Sequence, residues 1–275
     1  MVLQDTRSAR LDSPEHTYLD QPTHQRSSST ESILPAMAAA TRDGADFPFF
    51  GIVCDLDGTL LDTEPAYFAA YKYACESFGF AEYTFDQHKL IIGHPEGAGA
   101  QLLIDVLKLR DDGSVLTTDR LLERRDEKLL TTMAEARPMP GAIELLSRIV
   151  ALKIPLAIAT SSSREYLPIK RKAAPEIFEA VLDECIVCGD DDAVLGKGKP
   201  KPDIFIEAAK RAGVDPAGCL AFEDAAAGVL AASSAGMEVI VCPDIRLDRS
   251  LFASADLVLD SLVGFDLAGY RSVKR

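Results

Sequence analysis

The chain has 275 residues, of which 47% are hydrophobic, and a formal net charge of −14 at pH 7. This length accommodates one large domain with a smaller insertion, and the hydrophobic content provides a core. The acidic balance disfavours duplex nucleic acid and acidic membrane surfaces as partners, because both are negatively charged. No apolar run approaches the roughly 20 residues of a membrane helix, so we expect no membrane partner.

Residues 1–46 are rich in Ser, Thr, Pro, Gln and charged residues, without sustained periodicity. This composition predicts a disordered, solvated tail. The tail lacks the apolar core of a signal peptide, and its seven acidic residues against four arginines disfavour an organellar transit peptide. A targeting or regulatory role for the tail stays open.

The first apolar run, Phe49–Cys54, predicts a buried strand. Residues 65–138 then lack strand signals and show helical periodicity over Pro65–Phe78, Pro95–Leu109 and Thr118–Ala136. We therefore expect an all-helical block after the first strand.

Strands and helices alternate in the rest of the chain. Four short apolar runs predict strands: Pro155–Thr160, Glu184–Cys188, Cys219–Phe222 and Glu238–Cys242. Helical patterns separate them: Pro140–Leu152, Pro202–Ala212 and Ala225–Ala235. This alternation predicts an α/β fold with a doubly wound parallel sheet and an inserted helical cap. The predicted segments are a tail (1–46), a core domain (47–64 and 139–275) and a cap (65–138).

The six cysteines are scattered, mostly within apolar runs. This usage is typical of small core residues in a reducing compartment, and it predicts a cytoplasmic protein. Cys185 and Cys188 form a C-x-x-C pair without a second pair or a nearby histidine. We interpret them as buried strand residues and not as zinc ligands.

Three predicted strands end in side chains that carry chemistry. Asp55 and Asp57 follow the first, Thr160 to Ser162 follow the second, and Glu223 with Asp224 follow a later one. Because ligands bind at the carboxyl ends of the strands in doubly wound sheets, we expect these groups to line one crevice. Asp55 suits a nucleophile, Asp57 suits a proton-transfer group, and Gly58-Thr59 allows a phosphate to approach the backbone.

These motifs, together with the loop Gly196–Asp203, closely resemble those of the haloacid dehalogenase (HAD) superfamily over residues 49 to about 265. The resemblance implies a Rossmann-like core in which Asp55 attacks phosphorus. Asp57 would protonate the leaving oxygen and later activate water. Gly58, Thr59, Thr160, Ser161 and Lys199 would bind phosphate. An aspartyl-phosphate intermediate would form on Asp55.

The attack of a carboxylate on a phosphate dianion needs positive charge nearby. The repulsion amounts to roughly 10 kcal/mol at ~3 Å with an effective dielectric near 20. Carboxylates of Asp55, Glu223 and Asp224, with a backbone carbonyl near Asp57, form a hard oxygen set that suits Mg²⁺. Lys199 supplies a point charge for the phosphate and the nucleophile.

Other motifs have simpler interpretations. The run Asp190–Asp192 lacks the spacing of a calcium loop, and Gly196–Lys199 lacks the P-loop pattern. Ser161–Ser163 lacks a nucleophile elbow. We read Asp62 and Glu64 as turn and helix-start residues, and His88 and His94 as ordinary cap histidines.

The helical insertion resembles the cap of the superfamily's first subclass, which closes over small phosphorylated metabolites. Residues 94–107 contain no Lys or Arg to hold a second phosphate, which favours hydrolysis over mutase chemistry. The chain is most similar to the subgroup that hydrolyses pseudouridine 5′-phosphate. Glycerol-3-phosphatase and 2-deoxyglucose-6-phosphatase activities, a β-phosphoglucomutase-like sugar phosphomutase and an inactive binding module are the alternatives. We expect a monomeric, Mg²⁺-dependent phosphomonoester hydrolase.

Overall fold

A six-stranded parallel sheet forms the centre of the protein, which the computed structural model describes over residues 48–272. The strands are β1 (Gly51–Cys54), β2 (Leu156–Thr160), β3 (Ile186–Cys188), β4 (Cys219–Glu223), β5 (Glu238–Val241) and β6 (Leu257–Val258). Their order is β6-β5-β4-β1-β2-β3, and each neighbouring pair runs parallel. This is a doubly wound arrangement, so the predicted fold class is confirmed.

Strand β1 lies in the middle of the sheet, and all four of its residues are buried. Apolar side chains on both faces are expected for a parallel strand that helices cover on both sides. Cys54 at the end of β1 is level with Ile158 of β2 and Phe222 of β4. The residues that follow these three strands therefore meet at one edge of the sheet.

Helices flank the sheet and fill the connection after β1. They are α1 (Glu64–Ser77), α2 (Phe85–His88), α3 (Glu96–Leu107), α4 (Thr118–Thr132), α5 (Ala142–Ala151), α6 (Leu167–Ala173), α7 (Pro175–Glu179), α8 (Asp203–Arg211) and α9 (Ala226–Ser234). Short 3-10 helices occur at Met133–Glu135, Arg164–Tyr166, Asp183–Cys185, Pro216–Gly218 and Arg249–Phe252.

Helix α8 shows how the local sequence determines an element at the site. Pro202 is its N-cap residue, and the buried residues Phe205 and Ala208 lie on the face toward the sheet. Gly213 follows the helix with a φ of +73°, a conformation in which glycine carries no Cβ penalty. The loop before α8 delivers Lys199 to the sheet edge.

The helical block between β1 and β2 has a hydrophobic core of its own. Its buried members come from α1 to α4 and the loops between them: Tyr71, Ala74, Cys75, Tyr83, Ile91, Ala100, Leu103, Ile104, Leu109, Leu116 and Leu121. Tyr67 packs against both this cluster and the larger cluster around the sheet. We call the block of α1 to α4 the cap. The precise segment limits stay predictions, and the predicted tail (1–46) lies outside the described residues.

The prediction of an all-helical block was wrong in one respect. Arg110–Asp111 pairs with Ser114–Val115 as a short hairpin, and Arg137–Pro138 pairs with Leu61–Asp62. Strands of two residues are too short to show alternating polarity, so periodicity does not detect them. In the described part of the chain, no helix is long and apolar enough to cross a membrane.

Candidate active site

The structure brings the predicted carboxylates and the lysine together beside β1 and β4. Asp55 follows β1 directly, and its backbone N–H donates to the carbonyl of Phe222 at 2.9 Å. Glu223 ends β4, and Lys199 extends from the loop before α8. All three side chains are nearly inaccessible to solvent. This edge is where a doubly wound sheet reverses its strand order, the usual position of a ligand crevice.

Lys199 connects the two buried carboxylates. Its Nζ lies 2.5 Å from Oδ1 of Asp55 and also contacts Oε1 of Glu223. Burial raises the pKa of Asp55 to about 7, although the Lys199 ammonium opposes this rise. Burial lowers the pKa of Lys199, but the two carboxylates outweigh it and the net pKa lies above its usual value. Lys199 is therefore a fixed cation beside the predicted nucleophile.

The second oxygen of Glu223 is held by the chain that follows it. Oε2 accepts hydrogen bonds from the backbone N–H groups of Asp224 at 3.0 Å and Ala225 at 3.1 Å. A Cβ at Gly228 would collide with this carboxylate, so the glycine leaves the space that Glu223 fills. Glu223 has a single orientation, with one oxygen on Lys199 and the other on the backbone.

Asp55, Glu223 and Asp224 form a group whose carboxylate oxygens lie within 4.8 Å of one another. One ammonium, from Lys199, contacts two of these three carboxylates, those of Asp55 and Glu223. Burial raises the pKa of Asp224 well above its usual value, and the neighbouring Glu223 raises it further. The excess negative charge and the all-oxygen donor set fit a hard divalent cation such as Mg²⁺.

Asp57 occupies a different environment from Asp55. Both of its carboxylate oxygens contact Nζ of Lys170, at 2.5 and 2.7 Å. Its Oδ2 also accepts hydrogen bonds from the hydroxyls of Thr160 at 3.0 Å and Ser162 at 2.8 Å. Burial acts to raise the pKa of Asp57, but the Lys170 ammonium and these hydrogen bonds lower it below the usual value. The side chain of Asp57 lies apart from the three-carboxylate group.

Of the five predicted phosphate-binding residues, two line the cleft and three have their polar groups on other parts of the protein. Lys199 and Ser161 line the cleft, whereas Thr160 is fully buried and its hydroxyl donates to Asp57. The N–H of Gly58 donates to the carbonyl of Leu61 at 2.8 Å. The Thr59 hydroxyl donates to Asp224 at 3.3 Å. Gly58 also has a φ of +85°, and a Cβ there would collide with Asp224, so this position requires glycine.

A cavity of about 150 Å³ lies between these residues and the cap. The sheet edge contributes the carboxylates, Lys199 and the two serines at positions 161 and 162. The cap side chains on the opposite wall include Tyr67, Tyr71, Arg125, Glu96, His88 and His94. Glu64, at the start of α1 as predicted, also lines it. Polar groups of the cap thus face the predicted nucleophile.

The acidic run at 190–192 has arginine partners. Asp191 pairs with Arg164 at 2.7 Å and with Arg211 at 3.0 Å, and Asp190 accepts the backbone N–H of Arg164 at 2.9 Å. The nearby Cys188 thiol has a pKa raised to about 11 by burial, which keeps it neutral. Ligand atoms of Cys188, Asp190 and Asp191 also lie within 4.8 Å of one another, so the prediction that this run is a solvated loop and not a metal site stays a prediction.

Residues 51–236 match the haloacid dehalogenase-like hydrolase family. The chain belongs to this family. The match contains the carboxylates, Lys170 and Lys199 of the site, and strands β1 to β4 of the sheet.

Relatives of known name agree with the family assignment. The chain is 36% identical over 215 residues to the probable pseudouridine-5′-phosphatase of Drosophila melanogaster, covering 78% of this chain and 90% of the relative. It is 35% identical over 217 residues to (DL)-glycerol-3-phosphatase 1, mitochondrial, of Arabidopsis thaliana, covering 78% and 70%. A mutant CbbY from Rhodobacter sphaeroides, solved with xylulose-(1,5)bisphosphate, has a TM-score of 0.66 and 26% identity, covering 78% and 96%.

The roles of three polar residues in or beside this hydrolase's cleft are not predicted from the sequence. Lys170 lies in the run Lys170-Arg171-Lys172, where nothing in the sequence separates the buried cation from its neighbours. Ser162 is expected at the crevice with Thr160 and Ser161, but its hydrogen bond to Asp57 is not predicted. Arg125 lies outside residues 94–107, the cap segment whose lack of Lys and Arg is the argument against a second phosphate. In hindsight, the helical spacing of Arg125 from the buried residues Leu121 and Leu129 places all three on one face of α4.

Proposed function

We propose that this chain hydrolyses small phosphate monoesters with Asp55 as the nucleophile. The observation that carries the proposal is the contact of Lys199 with Asp55, within a group of carboxylates at the switch point of the sheet. Membership in a hydrolase family, with two relatives named as phosphatases, supports the same activity.

The first step transfers the phosphoryl group to the protein. An oxygen of Asp55 bonds to phosphorus, the ester P–O bond breaks, and the leaving oxygen takes a proton from Asp57. Lys199 holds positive charge beside the attacking carboxylate and the incoming phosphate. When bound by Asp55, Glu223, Asp224 and the carbonyl of Asp57, Mg²⁺ supplies further charge neutralisation.

The second step returns the protein to its starting state. Water attacks phosphorus, its proton passes to Asp57, and the bond between phosphorus and Asp55 breaks to release inorganic phosphate. The carboxylate form of Asp57, stabilised by Lys170 and two hydroxyls, is the form that accepts this proton, and the protonated Asp57 that results is the acid of the next first step. Ser161 and backbone groups around it offer donors to the phosphoryl oxygens.

Pseudouridine 5′-phosphate is the substrate we propose first, because the probable pseudouridine-5′-phosphatase shares 36% identity over most of both chains. Glycerol 3-phosphate is the second candidate on the same ground, and 2-deoxyglucose 6-phosphate the third. A cavity of about 150 Å³ suits small metabolites. We further propose that the protein acts as a monomer in the cytosol.

A sugar phosphomutase would use the same aspartyl phosphate. It also needs a cation in the cap that is free to hold a second phosphate. Arg125, the arginine that lines the cavity, already has the carboxylates of Glu96 and Asp126 as partners. An inactive binding module is disfavoured because Asp55 and Lys199 are both present.

The proposal is tested by phosphate release from a panel of esters, with Mg²⁺ and with a chelator. The panel contains pseudouridine 5′-phosphate, glycerol 3-phosphate, 2-deoxyglucose 6-phosphate and β-glucose 1-phosphate. We expect Mg²⁺-dependent release from at least one, absent in Asp55→Asn. Release that persists in Asp55→Asn would contradict the proposal, and isomerised sugar without free phosphate would identify a mutase.

A further inference from the structure

The cap wall of the cavity combines a guanidinium and imidazoles with carboxylates. Arg125 extends from α4 and its side chain is only 1% exposed, yet it lines the cavity. One of its amino groups pairs with Oε1 of Glu96 at 2.5 Å and contacts Asp126, and another donates to the Tyr71 hydroxyl at 3.2 Å. The guanidinium therefore already has two carboxylate partners.

His88, like Arg125, already has partners within the cap. Its Nδ1 lies 2.8 Å from the Tyr83 hydroxyl, and its Nε2 contacts Oε1 of Glu64. The imidazole is 2% exposed and packs edge-on against the Phe68 ring. Both ring nitrogens thus have partners within the cap, and neither is free to bind an anionic substrate group.

The groups that remain for a ligand are hydrogen-bonding ones. Glu96 is 42% exposed at the start of α3, so it keeps acceptor capacity toward the cavity besides its pair with Arg125. The Tyr67 hydroxyl lies 3.3 Å from Oγ of Ser162. Carboxylate acceptors with hydroxyl and guanidinium donors match a group that carries several hydroxyls, because each hydroxyl both donates and accepts.

A second anionic group on the ligand would not find a suitable partner on this wall. It would approach the carboxylates of Glu64 and Glu96, and the Arg125 guanidinium beside them is already paired with Glu96 and Asp126. To contact the Arg125 guanidinium, an anion would have to displace one of its carboxylate partners. The remaining carboxylates would also repel it, and such repulsion between like charges disfavours the binding of the wrong ligand.

We infer that the cap wall selects a neutral, hydroxyl-bearing leaving group, and that Glu96 is the specificity-determining residue that recognises its hydroxyls and rejects a second phosphate. This inference rests on the proposed phosphatase function. The inference predicts that this chain accepts monophosphates of polyols, sugars and nucleosides and does not accept sugar bisphosphates.

The test compares three substrates with saturating Mg²⁺. They are glucose 6-phosphate, glucose 1,6-bisphosphate and p-nitrophenyl phosphate, which has no leaving-group hydroxyl beyond the ester. The variants are Glu96→Gln, which keeps the shape and removes the charge, and Glu96→Arg. Glu123→Gln on α4 is the matched control, because Glu123 also pairs with an arginine, Arg120, but does not line the cavity.

We expect the wild type to prefer the monophosphate over the bisphosphate by at least about tenfold in kcat/KM. Glu96→Gln should raise KM for glucose 6-phosphate by about tenfold, with kcat and the hydrolysis of p-nitrophenyl phosphate unchanged. Glu96→Arg should reduce or reverse the preference for the monophosphate over the bisphosphate. Glu123→Gln should behave as wild type, and unchanged melting temperatures would show that each variant folds.

The inference is overturned if the wild type has a higher kcat/KM for the bisphosphate than for the monophosphate. It is also overturned if Glu96→Gln changes kcat/KM equally for all three substrates, or for none of them. Activity toward p-nitrophenyl phosphate in either case leaves the proposed function intact. If no ester is hydrolysed, the proposed function fails. Calorimetric binding of the two glucose phosphates to the Asp55→Asn variant then still decides the inference, since tighter binding of the bisphosphate contradicts it.

Discussion

The Nζ atom of Lys170 lies 2.5 and 2.7 Å from the two carboxylate oxygens of Asp57 and 2.6 Å from Oγ of Ser162. The lysine side chain has no exposed surface, and Asp57 is 20% exposed. A buried ammonium is stable only when its charge and its donors are matched. The contact therefore fixes Asp57 in one orientation, and we expect Lys170 to act as a positioning residue for this proposed proton-transfer group.

Replacing Lys170 tests this role. Lys170→Met leaves Asp57 without its counter-charge, so we expect a loss of roughly 2 to 4 kcal/mol in the free energy of unfolding, with a fall in kcat. Urea denaturation and phosphate release measure the two effects. Lys172→Met, at an exposed position of the same helix, is the control and should change neither.

A double variant separates positioning from packing. Lys170→Met combined with Asp57→Asn removes both charges, so it should recover much of the lost stability but none of the activity. Equal destabilisation of the single and double variants would show that Lys170 acts through its hydrocarbon packing alone.

The two proposed steps differ in what they require of Asp57. Asp57→Asn cannot take a proton from water, whereas p-nitrophenolate leaves without needing a proton. We expect this variant to release about one nitrophenolate per active site and then stall, with steady turnover reduced by roughly 10²- to 10⁴-fold. Stopped-flow absorbance measures the burst. Asp62→Asn, the control, should turn over normally, and steady turnover by Asp57→Asn would exclude this role.

The three-carboxylate group predicts a cation site that can be measured without catalysis. Mg²⁺ at 100 times its Kd should stabilise the folded protein by about 2.7 kcal/mol. Asp224→Asn should reduce this shift in melting temperature, because it removes a charge from the oxygen set. Asp190→Asn, in the arginine-paired run, should keep the full shift. An unchanged shift in Asp224→Asn would place the cation elsewhere.

Gly228 tests how tightly Glu223 is held. It lies within α9, where alanine suits the backbone, but a Cβ would collide with the Glu223 carboxylate. We expect Gly228→Ala to destabilise the protein by roughly 1 to 3 kcal/mol and to weaken Mg²⁺ binding. Gly97→Ala in α3 meets open space and should stabilise by about 0.5 kcal/mol. A stable Gly228→Ala with normal Mg²⁺ affinity would contradict the tight fit.

The sequence predicted the elements that are long enough to show an apolar run or a helical periodicity. Strands β1 to β5 were placed within two residues, because apolar runs of four to six residues bounded by polar residues are too short for helices and typical of buried parallel strands. Strand β6 (Leu257–Val258) and the hairpin at 110–115 were missed, since two residues carry no periodicity. Helices α6 and α7 were not predicted either. Their short, charged stretches resemble loops when tertiary packing is unknown.

The site was predicted where a motif carries the chemistry and missed where only the fold does. Asp55, Lys199 and Glu223 belong to recognisable motifs and meet as expected. Lys170 and Arg125 do not, because a buried lysine or arginine is defined by its partners and not by its neighbours in the chain. Those partners become visible only in the fold, where α4 packs against α1 and α3 and Lys170 of α6 reaches Asp57.

The most direct test of the central claim is to identify the phosphorylated atom. Wild-type protein with ³²P-labelled substrate and Mg²⁺, quenched in acid during turnover and digested, should carry the label on the peptide that contains Asp55. Asp55→Asn should carry none. Full turnover with no label on that peptide, or with label on a different residue, would contradict the assignment of Asp55 as the nucleophile.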